Sequence, residues 1–150
     1  KLNFNLRLVK LKREKPEFKN LKYKKILSYL SKMDNSQSDI ALVSNKKLLE
    51  TGTSNLLFVK DQKFFTPKKD YYEGNTYKFF KTKIRKIIKK DILLREIKNY
   101  DEILLIGSGK GVTSVKTINE LEWKRKNLKK FKLLSKQYDA VKNKCNSYRF

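Results

Sequence analysis

Apolar and polar positions alternate along residues 2–11. Leu2, Phe4, Leu6 and Leu8 fall on one face, with lysine, asparagine and arginine opposite. That period of two predicts a strand. Arg13–Phe18, holding Pro16, reads as a loop. From Leu21 to Met33 the spacing lengthens, and Tyr23, Ile26, Leu27, Leu30 and Met33 share one face of a predicted helix. Asp34–Asp39 is a polar connection rich in turn residues. Short apolar runs come next at Ile40–Val43, Leu48–Leu49, Asn55–Val59 and Phe64–Thr66. Turns at Asn45–Lys47 and Asp61–Lys63 punctuate them, and together they predict a small meander. Lys68–Asn75 is a loop containing Gly74. Thr76 then stands as the cap of a second helix with apolar positions Phe80, Ile84, Ile87 and Ile88. Asp91–Ile97 and Ile103–Ile106 read as strands, Gly107–Gly111 as a glycine turn and Val112–Ile118 as the strand back. Asn127–Lys142 closes the chain as a helix with Leu128, Phe131, Leu134, Tyr138 and Val141 inward. Strands interleaved with helices predict an α/β (α+β) unit of packed layers, and 150 residues suffice for one core.

Charge changes the picture less than its size suggests. Lys+Arg is 38 against 15 Asp+Glu, a formal net charge of +23. Such a balance raises the prior for nucleic acid or an anionic membrane. The excess is almost all lysine, however, and a sequence-reading groove favours the planar fork of arginine. A lysine-biased surface with no specific nucleic-acid partner is therefore expected. There is no histidine, which excludes a histidine triad, a histidine metal site and a histidine general base. The single Cys145 excludes an internal disulfide and fits a reducing compartment. No apolar run approaches the ~20 residues of a membrane helix, and no signal peptide is visible. A cytoplasmic protein without a membrane partner is expected. The chain opens at Lys1 inside a strand-like pattern, which suggests the C-terminal part of a longer protein.

Two stretches carry the candidate chemistry, Leu48–Pro67 and Tyr100–Asn119, each a strand, a Gly/Ser/Thr turn and a strand. Gly107-Ser-Gly-Lys-Gly-Val-Thr invites a nucleotide-loop reading but fails it. Lys110 is succeeded by Gly111 rather than Ser or Thr, the residues after Gly111 are strand-like, and the spacing G-x-G-x-G is not the dinucleotide fingerprint. Glycines here either make a tight hairpin or let the backbone approach an anion. Gly74-Asn75-Thr76 is either an ordinary helix cap or a helix-start anion site. Glu50, just before Thr51-Gly52-Thr53-Ser54, is an exposed strand end or a partner for a cation. Tyr23 packs in the core or, one turn on from Lys19, meets that amine. An amine, a carboxylate and two anion-binding turns are the parts a pyridoxal-phosphate site requires.

In combination these segments resemble the class IV pyridoxal-phosphate aminotransferase family. It includes aminodeoxychorismate lyases and branched-chain and D-amino-acid aminotransferases. FKNLKY resembles the segment with the Schiff-base lysine, which implies that role for Lys19. LLETGTSNLLFV is similar to the segment whose glutamate meets the pyridine nitrogen, implying Glu50. EGNT resembles the phosphate-binding turn, implicating Asn75 and Thr76. IGSGKGVTSV looks like the turn for phosphate and substrate carboxylate, implicating Ser108 and Gly109. Tyr23 is implied as a partner of the cofactor's phenolic oxygen. The family usually has Asn at Lys22, an aliphatic residue at Asn75 and Arg at Tyr77. The resemblance implies pyridoxal 5'-phosphate as cofactor, a small amino substrate, a homodimer, and a short-strand sheet or pseudo-barrel. Residues 1–150 correspond to the larger C-terminal domain, and the smaller domain with its phosphate-binding arginine is not among them. FKNLKY lacks the Gly-Gly-Asn-Tyr continuation of branched-chain enzymes, which leans the expectation towards aminodeoxychorismate lyase. A basic nucleic-acid module and a cofactor-free scaffold stand as alternatives.

Overall fold

A computed structural model describes residues 1–18 and 23–146. The first half contains β1 (Phe4–Lys10), α1 (Lys24–Leu30), β2 (Ser38–Ser44), β3 (Lys47–Thr51), β4 (Asn55–Lys60) and β5 (Lys63–Pro67). Then come α2 (Asn75–Lys83), β6 (Ile87–Lys90), β7 (Ile92–Leu93), β8 (Glu102–Gly107), β9 (Gly111–Ile118), β10 (Trp123–Lys124) and α3 (Lys129–Asn146). Hydrogen bonding links the strands in the order β6-β5-β4-β8-β9-β1-β2-β3-β7, with β10 beside β9. The sheet mixes parallel pairs, such as β1 with β2, and antiparallel pairs, such as β4 with β8. It curls until β3 also contacts β4 and β5.

Apolar side chains occupy three places on this curl. Phe4, Leu6, Val43, Leu48, Phe58, Leu105 and Val115 fill its inside. Leu57, Phe80, Leu104, Ile106, Phe131 and Leu134 join α2 and α3 to the outer face. Val9, Ile26, Leu30, Ile40 and Leu42 seat α1 on the other half. Each fully buried Leu, Ile or Phe contributes roughly 1.5–3 kcal/mol. Two tight hairpins depend on left-handed residues, Asn45 and Lys46 after β2 and Asp61 and Gln62 after β4. Their paired positive φ values match the twist of the flanking strands.

Several expectations from periodicity are corrected. The expected meander is broken, because β3 and β4 are not hydrogen-bonded neighbours and β4 pairs with β8 instead. The second helix stops at Lys83: Ile84 is extended, and Ile87 and Ile88 lie in β6 beside Phe64 and Phe65 of β5. A run of β-branched residues is easily captured by a free strand edge. The cap of α2 is Gly74, not Thr76. Asp91–Ile97 is not one strand: only Ile92–Leu93 pairs, and a 3-10 turn over Leu94–Asn99 buries Ile97. Leu2, Leu27 and Val141 are exposed, since the short α1 buries only Ile26 and Leu30 and α3 outruns the sheet it packs on. No helix among the described residues is long and apolar enough to cross a membrane.

Candidate functional site

The site begins with an irregularity in β3. Leu42 pairs with Glu50 and Val43 with Leu48, so Leu49 is an extra residue on β3. Such a bulge re-aims the side chains beyond it. It puts Glu50, rather than Leu49, opposite Leu42 on the face that carries α1. The Glu50 carboxylate is buried, 3% exposed. Arg13 Nε donates to its Oε1 at 2.8 Å, and Tyr72 N–H reaches Oε2 at 3.5 Å, the outer limit of a hydrogen bond. Burial pushes the Glu50 carboxyl above its ordinary value, and the Arg13 charge and hydrogen bond pull against that rise. The Arg13 guanidinium also lies 4.7 Å from the centre of the Tyr23 ring, a cation–π contact.

Asn55, at the start of β4, shapes the opposite wall. Its Nδ2 donates to Tyr72 O at 2.6 Å, and its Oδ1 accepts from Gly74 N at 3.0 Å. The loop is thereby held so that α2 starts at the cleft. The first N–H groups of a helix have no acceptor within the helix, and the dipole makes that end positive. Thr76 in the first turn of α2 has its Oγ1 3.3 Å from Ser108 Oγ. The turn of Ser108–Lys110 thus meets the start of α2, although β8 and α2 are far apart in sequence. A Cβ added at Gly109 would meet nothing within 4 Å. One added at Gly107 would lie 2.6 Å from Ser54 Oγ, so β8 approaches β4 where only glycine fits.

These elements enclose a cleft of about 340 Å³, bordered by Arg13, Tyr23, Glu50, Asn75, Ser108 and Gly109 among others. Of the residues singled out from the sequence, Tyr23, Glu50, Asn75, Ser108 and Gly109 line it, and Thr76 touches it through Ser108. Lys19 lies outside the described residues. Sequence reasoning does not find Arg13 or Asn55. Arg13 lies in a stretch that reads as loop, and Asn55 reads as the first residue of a strand. Neither carries a local signal, because the partner of Arg13 is 37 residues away and those of Asn55 are 17 and 19 away.

A mixed, curled sheet with a carboxylate on one side of a cleft and a helix start on the other makes this an α/β domain with a polar cleft. The family model described as Amino-transferase class IV matches residues 3–118, and the chain belongs to that family. Its members are pyridoxal-phosphate enzymes. Among solved structures, 4-amino-4-deoxychorismate lyase from Pseudomonas aeruginosa is similar at 19% identity, with a TM-score of 0.72, covering 90% of this chain and 54% of its own. A branched-chain aminotransferase from Thermoproteus uzoniensis, with norvaline, gives 15% identity and a TM-score of 0.78 over 93% of this chain and 51% of its own. A hypothetical aminotransferase from Mycobacterium tuberculosis, in its PLP-bound form, gives 14% identity and 0.71 over 92% and 54%. The chain spans about half the length of these proteins. No curated protein matches it.

Proposed function

We propose that this chain is the cofactor-carrying domain of a pyridoxal-phosphate enzyme, and that the whole protein is a 4-amino-4-deoxychorismate lyase, releasing pyruvate and 4-aminobenzoate. One observation carries the cofactor reading: a buried carboxylate and a helix start flanked by two hydroxyls face the same cleft. The residues fit the cofactor at both ends. Its phosphate suits the N–H groups of Asn75 and Thr76 with the Ser108 hydroxyl, because helix starts favour anions. Its ring nitrogen suits Glu50, whose Oε1 accepts from Arg13 while, among the described residues, Oε2 has the long contact from Tyr72. When bound, pyridoxal phosphate supplies a ring that withdraws electrons from the substrate, more strongly with its nitrogen protonated.

The chain's own residues then have separate tasks. Lys19 holds the cofactor and moves a proton as general acid and base. Glu50 keeps a negative charge at the ring nitrogen, and the Arg13 ion pair opposes the cost of burying that charge. Tyr23, its ring backed by Arg13, would hydrogen-bond the cofactor's phenolic oxygen. Gly109 leaves open space for the substrate carboxylate. A second, smaller domain and a partner copy complete the site in a cytoplasmic homodimer. The lean to the lyase rests on FKNLKY, which lacks the Gly-Gly-Asn-Tyr continuation. The runner-up is a branched-chain or D-amino-acid aminotransferase, favoured by the likeness to the Thermoproteus uzoniensis fold.

The test uses purified full-length protein. A yellow colour that stays with the purified protein after unbound pyridoxal phosphate is removed, and whose imine absorbance Lys19→Ala abolishes, supports the cofactor reading; a colourless wild type sinks it. Glu50→Gln is expected to keep the colour and lose most turnover. Pyruvate and 4-aminobenzoate from aminodeoxychorismate support the lyase. Transamination of branched-chain or D-amino acids without them moves the assignment to the runner-up.

A further inference from the structure

A second buried ion pair lies behind the cleft wall. Asp39, on β2, is fully buried. Its Oδ1 accepts from Ile40 N at 2.8 Å. Its Oδ2 accepts from Thr51 Oγ1 at 2.8 Å, Thr53 Oγ1 at 2.6 Å and Lys110 Nζ at 2.9 Å. Lys110 belongs to the Ser108–Lys110 turn, where a lysine side chain ordinarily reaches for water. Here it is only 11% exposed, and its ammonium lies 4.6 Å from the centre of the Phe4 ring. Thr51 ends β3, and Thr53 lies in the turn that leads to β4. One carboxylate therefore ties together two turns whose residues line the cleft, Gly52–Asn55 and Gly107–Gly109.

We propose that Asp39 and Lys110 form a buried latch that holds the turn after β8 in the shape that receives the ligand's anionic group, which makes Lys110 a positioning residue of the cleft. The inference rests on the cofactor reading for the ligand, but not for the latch. Between Gly107 and Gly111 the turn has few restraints of its own, and the space beside Gly109 is open. It is pinned at both ends instead. At one end Gly107 sits against Ser54 Oγ and Thr53 O. At the other the Lys110 ammonium is drawn inward to Asp39. Thr53 Oγ1 and Ser54 Oγ, 3.3 Å apart, join the two anchors. Holding Lys110 inward also neutralises its charge, so Ser108 and Gly109, rather than the ammonium, face the ligand. A binding group held before the ligand arrives costs less ordering on binding.

The experiment compares the full-length protein with its Lys110→Met, Lys110→Arg and double Asp39→Asn/Lys110→Met variants. It reads backbone 15N order parameters of residues 51–54 and 107–111 without ligand, then the dissociation constant for pyridoxal phosphate. In the wild type both turns should be rigid, at about 0.85, and in Lys110→Met both should fall below about 0.6. Pyridoxal phosphate should then bind about tenfold more weakly, the scale of a misplaced binding group. Lys110→Arg should restore both readouts. If Lys110→Met alone fails to fold, the double variant leaves no uncompensated buried charge and is expected to fold with the same loosened turns. Rigid turns in Lys110→Met or in the double variant overturn the latch. Loosened turns with unchanged affinity overturn its role in ligand positioning. A wild type with rigid turns that binds no pyridoxal phosphate overturns the cofactor reading, and the positioning role with it, while the mechanical latch stands.

Discussion

Arg13→Met is the sharpest probe of the site, because it removes one half of a buried ion pair and keeps most of the volume. Arg13 and Glu50 side chains are 7% and 3% exposed, and their contact is 2.8 Å. Removing one partner of such a pair typically costs about 3–5 kcal/mol, against a total domain stability of roughly 5–15 kcal/mol. The variant should therefore fold, but weakly. The loss should also depend on pH. Burial raises the Glu50 pKa in the folded chain above its ordinary value of 4.5, and Arg13 holds that rise in check. A carboxyl with a raised folded pKa binds its proton more tightly when folded. Its contribution is therefore most favourable below the unfolded pKa and is lost as pH rises through the folded pKa. Without Arg13 the folded pKa climbs further, so the losing window extends to higher pH, and each further pKa unit costs about 1.4 kcal/mol. Urea unfolding of wild type, Arg13→Met and Arg13→Met/Glu50→Gln at several pH values measures this. The difference between Arg13→Met and wild type should be largest above neutrality and shrink as pH falls towards the ordinary carboxylate range. The double variant should recover much of the loss and lose the added pH dependence. A penalty under about 1 kcal/mol, the range of exposed pairs, or one equal at every pH, would refute a buried, charge-paired Glu50.

Other variants test separate joints. Gly111 has φ +66°, and a Cβ there would lie 2.9 Å from Tyr138 Cε1, so Gly111→Ala should cost roughly 1–3 kcal/mol in denaturant titration. Gly109→Ala faces open space and should leave the melting point nearly unchanged while raising the substrate KM. Glu102 is buried and accepts from Lys130 N and Phe131 N at the start of α3, so Glu102→Ala should cost about 1–2 kcal/mol and fray that helix in circular dichroism. The +23 charge should give DNA binding that is weak, sequence-blind and steeply lost with salt; salt-resistant, selective binding in a mobility shift would favour the nucleic-acid module.

Local pattern determined a good part of this protein. Alternation marked β1, apolar runs between turn residues marked β2 to β5, and β8 and β9 flank the expected glycine turn. The hairpins at Asn45-Lys46 and Asp61-Gln62 sit where turn chemistry put them. Resemblance to the class IV family, carried by short motifs in order along the chain, singled out Glu50, Asn75, Thr76 and Ser108, each beside a turn rich in Gly, Ser or Thr. Only the tertiary structure decided what those residues face. Periodicity is a local signal and cannot choose among strand edges, so β4 pairing with β8 and the capture of Ile87 and Ile88 by β5 were invisible to it. The Leu49 bulge that turns Glu50 towards the cleft exists only against the register of β2. Arg13 meets Glu50 across 37 residues, and Lys110 meets Asp39 across 71. A buried charge is stable only where its partner is, and that partner is chosen by the packing of the whole chain rather than by its neighbours in sequence.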